Sequence, residues 1–254
     1  MKSSKSRLSD LLNAALVVLG AAILTAFLAS GTLAIQSNGS QKQNVRPSAP
    51  QALSSPSEEG EKSVEQASFA YEFTQPKFHI RHIVIEHDAL GAGKITFERL
   101  HEEVAIVEPL SLSKAALTRI SSLWETARFL ESDTNYQSDK QFPHLGTISL
   151  KMARGERNRI AEFNWTNNAT VAALVAEYRR VADQAIFIFD ISVARANQPL
   201  NAPKLLERLE LLMRRDGISD PEQLVPLLRE LSTDEHIPLI ARHHADRLLK
   251  KIKK

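Results

Sequence analysis

Pairs of strands each followed by a helix, given twice and then followed by helix alone, predict an α+β fold: an antiparallel sheet of ββαββα layout covered on one face by helices, with a helical C-terminal segment. Three observations carry this reading. Short β-branched runs come in twos around glycine-containing turns, apolar residues at three- and four-residue spacing follow each pair, and no strand pattern appears after Pro199.

The folded part begins near Phe69. Residues 78–86, FHIRHIVIE, read as a strand, and after a turn at Ala89 to Gly93 the alternating run 94–100 pairs with it as a hairpin. A further short strand is expected at 104–107. Ser111 or Ser113 can cap the next helix, whose Ala116, Leu117, Ile120, Leu123, Trp124, Ala127 and Leu130 make one apolar face. A second hairpin joins 146–152 to 159–165 around Arg154, Gly155 and Glu156, and a second helix starts after Asn168. From 171 to 196 that helix is apolar most of the way round, so it should be buried on more than one side and join the sheet to the helical end. Asn201 with Pro203 opens another helix that Gly217 closes, and Ser219-Asp220-Pro221-Glu222 starts the next.

Ahead of this lies an uncharged run, residues 11–35, bounded by Leu11 and Ile35. At ~1.5 Å of rise per residue it is long enough to cross a hydrocarbon core of ~30 Å, and it reads as a single transmembrane helix. Lys2, Lys5 and Arg7 precede it, so the positive-inside rule puts residues 1–10 in the cytoplasm and the rest outside, as a periplasmic domain on the inner membrane. The competing reading is a cleaved secretory signal, with Ala29-Ser30-Gly31 or Thr32-Leu33-Ala34 as small-residue sites. A signal's apolar core of roughly 7 to 15 residues is shorter than this run, which favours the anchor. Residues 36–68, rich in Ser, Gln, Pro, Asn and Glu, read as a disordered linker with a root-mean-square reach of roughly 30 Å. The expected organisation is therefore a tip at 1–10, a membrane helix at 11–35, a linker at 36–68, an α+β domain at 69–200 and a helical segment at 201–254.

Composition removes several functions. The 254 residues contain no cysteine, so disulfides, thiolate nucleophiles and cysteine metal sites are impossible. With 32 Lys and Arg against 30 Asp and Glu, the charge is balanced, and no nucleic-acid partner is expected. His79, His87 and Asp88 are the candidate metal ligands, but side chains alternate along a strand, so His82 faces away from His79 and His87; a polar strand end with Asp88 bonding turn amides is the simpler reading. Gly91-Ala92-Gly93-Lys94 lacks the glycine that a phosphate loop needs at position 88 and the Ser or Thr it needs at 95. Ser111-Leu112-Ser113-Lys114 spells Ser-x-x-Lys without the partner motifs of the penicillin-interacting serine enzymes, and helix capping accounts for it. His236, His243, His244 and Asp246 cluster in sequence, with His244 bordering a packing stripe of Ile237, Ile240, Ala241, Ala245, Leu248 and Ile252. The basic end at Lys250 and Lys251 could touch anionic lipid or lie in solvent. No cofactor is expected.

Leu224-Val225-Pro226-Leu227-Leu228, the loop residue Asp234, and the Arg242, Ala245, Leu248 spacing resemble a single HEAT-type helical repeat. The resemblance covers the last 35 residues or so, and a lone repeat must dock on its neighbours because it cannot close a core by itself. It implies packing and protein contact. The region 78–182 is similar in layout to uncharacterised exported ββαββα domains, which implies no activity. The reading that follows is a single-pass membrane-anchored protein whose exported domain binds a protein or an envelope component without catalysis. The reading from a different class is an envelope hydrolase or metal-dependent enzyme using the His79 to Asp88 region.

Overall fold

A computed structural model describes residues 67–253. Six antiparallel strands and five helices follow one another as β1 (Ala67–Thr74), β2 (Ile80–Asp88), β3 (Ala92–Arg99), β4 (Ile106–Ser111), α1 (Lys114–Ala127), β5 (Thr147–Arg154), β6 (Arg157–Phe163), α2 (Ala169–Asn197), α3 (Ala202–Arg214), α4 (Val225–Thr233) and α5 (Leu239–Ile252). The sheet order is β4-β3-β2-β1-β5-β6. The class is α+β, but the layout is ββββαββα, not ββαββα.

Of the two added strands, β4 answers to the further short strand expected at 104–107, whereas β1 is a strand to which the sequence reading assigns no element and whose first two residues it places in the 36–68 linker. Ala67, Phe69, Tyr71 and Phe73 are buried and alternate with more exposed residues, the period-two pattern of a strand with one solvated face. It is the central strand, antiparallel to β2 through Ser68 opposite Asp88 and to β5 through Thr74 opposite Thr147. A central strand satisfies both backbone edges from its neighbours, so it forms despite a polar sequence before it. β4 lies at 106–111, later than the expected 104–107, and carries Pro109 on the sheet edge, where a missing amide hydrogen costs no ladder bond.

The β2–β3 turn is held by the Asp88 carboxylate, which accepts from the amides of Leu90 at 2.8 Å and Ala92 at 2.9 Å. A Cβ on Gly93 would lie 1.9 Å from the Glu86 carbonyl oxygen, so that position needs glycine. Lys94 pairs with Glu86 across the strands at 3.0 Å. These contacts use the groups that a phosphate loop would offer. Ser113 caps α1 by accepting from the Ala116 amide at 3.1 Å, and Asn168 caps α2 by accepting from Val171 at 3.0 Å.

Helix α2 has 29 residues, roughly 43 Å at 1.5 Å per residue. Its first part, with Leu174, Tyr178 and Val181, packs into the sheet core, and its later residues Phe187 and Ile191 pack into a second core with α3, α4 and α5. It joins the two layers as expected. Among the described residues no helix is long and apolar enough to cross a membrane; the run 11–35 lies outside the described residues.

Pro203 falls in the first turn of α3, while Asn201 makes no capping bond there. At the other end the left-handed residue is Asp216, with φ of 53°, and the Gly217 amide donates to the Leu212 carbonyl at 2.8 Å, a Schellman closure in which glycine sits one place beyond its usual position. Asp220 caps a short 3-10 turn, Pro221–Leu224, that leads into α4. Helices α4 and α5 pack together around Leu228, Leu231, Ala245 and Leu248, and the pair docks on α2 and α3. On α5 the packing stripe differs from the expected one: Ile240 is exposed and His244 is buried.

Two polar clusters, one on a buried carboxylate and one on a half-buried one, fasten the layers. Glu177 of α2 accepts from Arg119 of α1 at 2.9 Å, from the Ser219 hydroxyl at 2.7 Å and from Arg180 at 2.6 Å. Burial raises its pKa, but the donated hydrogen bonds and the two guanidinium charges outweigh that and hold it below the usual carboxylate value. Asp190 of α2 accepts from Arg99 of β3 and from Arg208 of α3.

Candidate functional site

Of the three candidate metal ligands, His79 lies apart. His79 precedes β2 and is exposed, whereas His87 and Asp88 end that strand, about 26 Å away at ~3.3 Å per residue. His82 points to the solvated face, where its Nε2 lies 2.8 Å from Glu72 and its Nδ1 3.3 Å from Glu98. Among the described residues no group of three or more His, Asp or Glu is suited to a metal ion. On the helical end, His236 bonds Asp234, His244 bonds Glu210 at 2.9 Å, and Asp246 pairs with Lys250 at 2.7 Å. Lys251 pairs with Glu210, whose pKa falls to about 2 because Lys251 and His244 donate to it.

His87 instead ends a buried hydrogen-bond chain. Its Nδ1 lies 2.7 Å from the Asp88 carbonyl, its Nε2 2.8 Å from the Tyr178 hydroxyl, and that hydroxyl accepts from the Trp124 indole at 3.0 Å. A carbonyl can only accept, so Nδ1 carries the proton, Tyr178 donates to Nε2, and every member is satisfied. The ring stacks on Phe69 with centroids 5.0 Å apart. Burial lowers the His87 pKa and raises that of Tyr178, so both stay neutral near pH 7.

At the opposite end of β1 the sheet and α2 separate around a cavity of about 850 Å³. That volume lies within the ~300–1,000 Å³ of ordinary small-molecule sites. Phe73, Ile83, Ile148 and Phe163 form the floor, and Val175, Arg179, Ala182 and Ile186 line it as one stripe of α2, their spacing placing them on one helical face. No residue of α1 lines the cavity. Trp124 of α1 instead packs 5.6 Å from Phe69 near the start of β1. A 14-residue helix covers one end of the sheet and leaves the other to α2 alone.

Three connections build the mouth and are tied to one another. In the β1–β2 turn, the buried Gln75 side chain donates to the carbonyls of Pro143 at 3.2 Å and His144 at 2.9 Å in the α1–β5 connection. In the β6–α2 connection, Asn164 accepts from the Phe142 amide and the Gln137 side chain, both at 3.1 Å. Gly146 has φ of 91°, and a Cβ there would lie 2.6 Å from the Thr74 carbonyl, so glycine is needed for the chain to pass. Phe78 and Trp165 stand 44 % and 46 % exposed at this rim, with Phe142 edge-on to Trp165 at 5.6 Å. Exposed aromatics gathered at a concave site mark a contact surface.

Around the apolar floor the lining is polar, with Lys77, His79, Asn164, Thr166, Arg179, Asp183 and Arg208. The Tyr71 hydroxyl is buried without a hydrogen bond; burial raises its pKa while the neighbouring Arg179 charge opposes that. Burial also raises the Asp183 pKa against the charges of Arg208, Arg215 and Arg179. Of the residues singled out in the sequence only His79 lines this site. Sequence reasoning missed the remainder because they come from five separate segments; the signal available was the excess of aromatic residues in the turns at Phe78, Phe142 and Trp165. Comparison with family models and with curated proteins finds no match for this chain.

Proposed function

We propose that this chain is a membrane-tethered binding module, anchored by residues 11–35, whose exported α+β domain takes a component of the envelope in the cavity between α2 and the sheet. The observation that carries the reading is the cavity itself: a chamber with an apolar floor, a hydrogen-bonded, preformed mouth and a half-exposed aromatic rim. The hydrolase or metal-enzyme reading needs His79 beside His87 and Asp88, and the length of β2 separates them. The HEAT-like hairpin, docked on α2 and α3, serves as packing for this domain in the same reading.

A photocrosslinking amino acid placed at Phe78 in the full-length protein tests it in intact cells, with the same group at Leu200, 82 % exposed on the helical end, as the control. Adducts concentrated at position 78 support the module, and equal adducts at both positions overturn it. Protease added to spheroplasts checks the topology, since protection of residues 67–253 would contradict export.

A further inference from the structure

We infer that the cavity holds a single-chain amphiphile with an anionic head, the chain lying on the apolar floor and the acidic group meeting Arg179 and Tyr71. The inference rests on the binding-module reading and adds the class of ligand. Phe73, Ile83, Ile148 and Phe163 below, with Val175 and Ile186 beside them, offer a surface that gains only from burying hydrocarbon.

At one place this surface is polar and incomplete. The Tyr71 hydroxyl, on a residue only 1 % exposed, makes no hydrogen bond, and a buried hydroxyl is ordinarily paired. Arg179, exposed on its outer side, lies beside it, and against the rise that burial causes it lowers the Tyr71 pKa by its charge and by a donor directed toward the hydroxyl. Its guanidinium is 5.8 Å from the Phe73 ring centroid and has donors left over for a ligand. Two donors facing one space are satisfied together by an oxygen that accepts from both, and a charged oxygen makes the stronger bonds.

The charge around the cavity has the matching sign. Lys77, Arg179 and Arg208 line it against one carboxylate, Asp183. Asp183 is already surrounded by the charges of Arg208, Arg215 and Arg179, so a cationic head would enter a field of like charge, and an anionic head finds attraction. The aromatic rim suits the segment between head and chain, because such rings are amphipathic.

The test uses membranes carrying the full-length chain, with photoactivatable palmitic acid as probe and the labelled peptides mapped by mass spectrometry. The matching fatty alcohol reports the role of charge, and the matching lysophosphatidylglycerol separates a free acid from a lipid headgroup as the source. Expected are labels on the peptides of β2 and α2 that line the cavity, at least tenfold stronger with one of the two anionic probes than with the alcohol. R179A should lower that labelling about tenfold, in line with loss of one charge-assisted contact, and leave the alcohol unchanged. A182W, which fills the cavity, should abolish it. Because that variant could disturb the core, A172W at the exposed mouth is the second block.

Equal labelling by acid and alcohol, or indifference to R179A, overturns the anionic amphiphile. Adducts from position 78 that contain only another protein overturn the ligand class while the binding module stands, and adducts to this chain's own 11–35 overturn both. Absence of both kinds of adduct overturns both.

Discussion

The two ends of the interface between α2 and the sheet are built from the same materials and reach opposite results. At the end where α1 also covers the sheet, Trp124, Tyr178 and His87 complete one another's hydrogen bonds and pack on Phe69, beside a smaller pocket of about 460 Å³. At the other end Tyr71, Phe73 and Arg179 face a cavity, and the Tyr71 hydroxyl is left without a partner. The difference teaches that coverage, more than composition, decides how far this core is closed: two helices over the sheet leave a pocket of about 460 Å³, and one helix leaves a cavity of about 850 Å³.

Breaking the filled end should cost most. Trp124 is 2 % exposed, and W124A should destabilise the fold by about 3–5 kcal/mol, the usual loss for truncating a buried aromatic; urea unfolding followed by far-ultraviolet circular dichroism measures it. Y178F keeps the ring and removes the hydroxyl, leaving the Trp124 indole and His87 Nε2 unpaired, and should cost about 1–3 kcal/mol in the same assay. A loss as large as that of W124A would show that the chain of bonds, not the packing, holds this end.

Acid sharpens the contrast next. Burial sets the folded His87 pKa below the ordinary imidazole value of about 6.5, so as pH falls through that value the unfolded chain binds a proton that the folded chain refuses. Stability from this group is complete above that value and declines below it, by at most about 1.4 kcal/mol per pH unit, until the folded pKa is reached. Unfolding midpoints measured between pH 8 and 5 should show the decline in the parent and lose it in H87Q. The open end should respond least. W165A removes a half-exposed rim side chain and should move stability by no more than about 0.5 kcal/mol, while a probe bound in the cavity should shift the fluorescence of Trp165 and leave that of Trp124 unchanged, read in variants retaining one tryptophan each.

Much of the fold is legible in the sequence because local chemistry writes it there. A serine, Ser111 or Ser113, announces the start of α1 and the structure uses Ser113; α2 starts after Asn168 as read; Asp88 announces the β2–β3 turn, and the all-round apolarity of α2 announces a helix with a core on each side. β1 was not legible as an element. Its alternation is clear only once both neighbours are known, and it adjoins a polar tract. The site was hardly legible at all: His79 is at the mouth, but its company in sequence, His87 and Asp88, is at the far end of a strand. Closeness in sequence along a strand means separation in space, and the cavity draws on turns far apart in sequence that only the sheet brings together.

The sequence by itself determined the class of fold, the helix starts and turns, the absence of thiol chemistry, and the expectation that residues 11–35 address the chain to a membrane. These depend on side chains acting on backbone a few residues away or on composition summed over a segment. Tertiary structure alone decided that β1 is central, that His87 is a link in a buried hydrogen-bond chain, and that an aromatic-rimmed cavity opens where α1 ends its cover. Those outcomes depend on which surfaces meet, and the meeting is settled by helix lengths and strand order across the whole sheet, which no local pattern encodes.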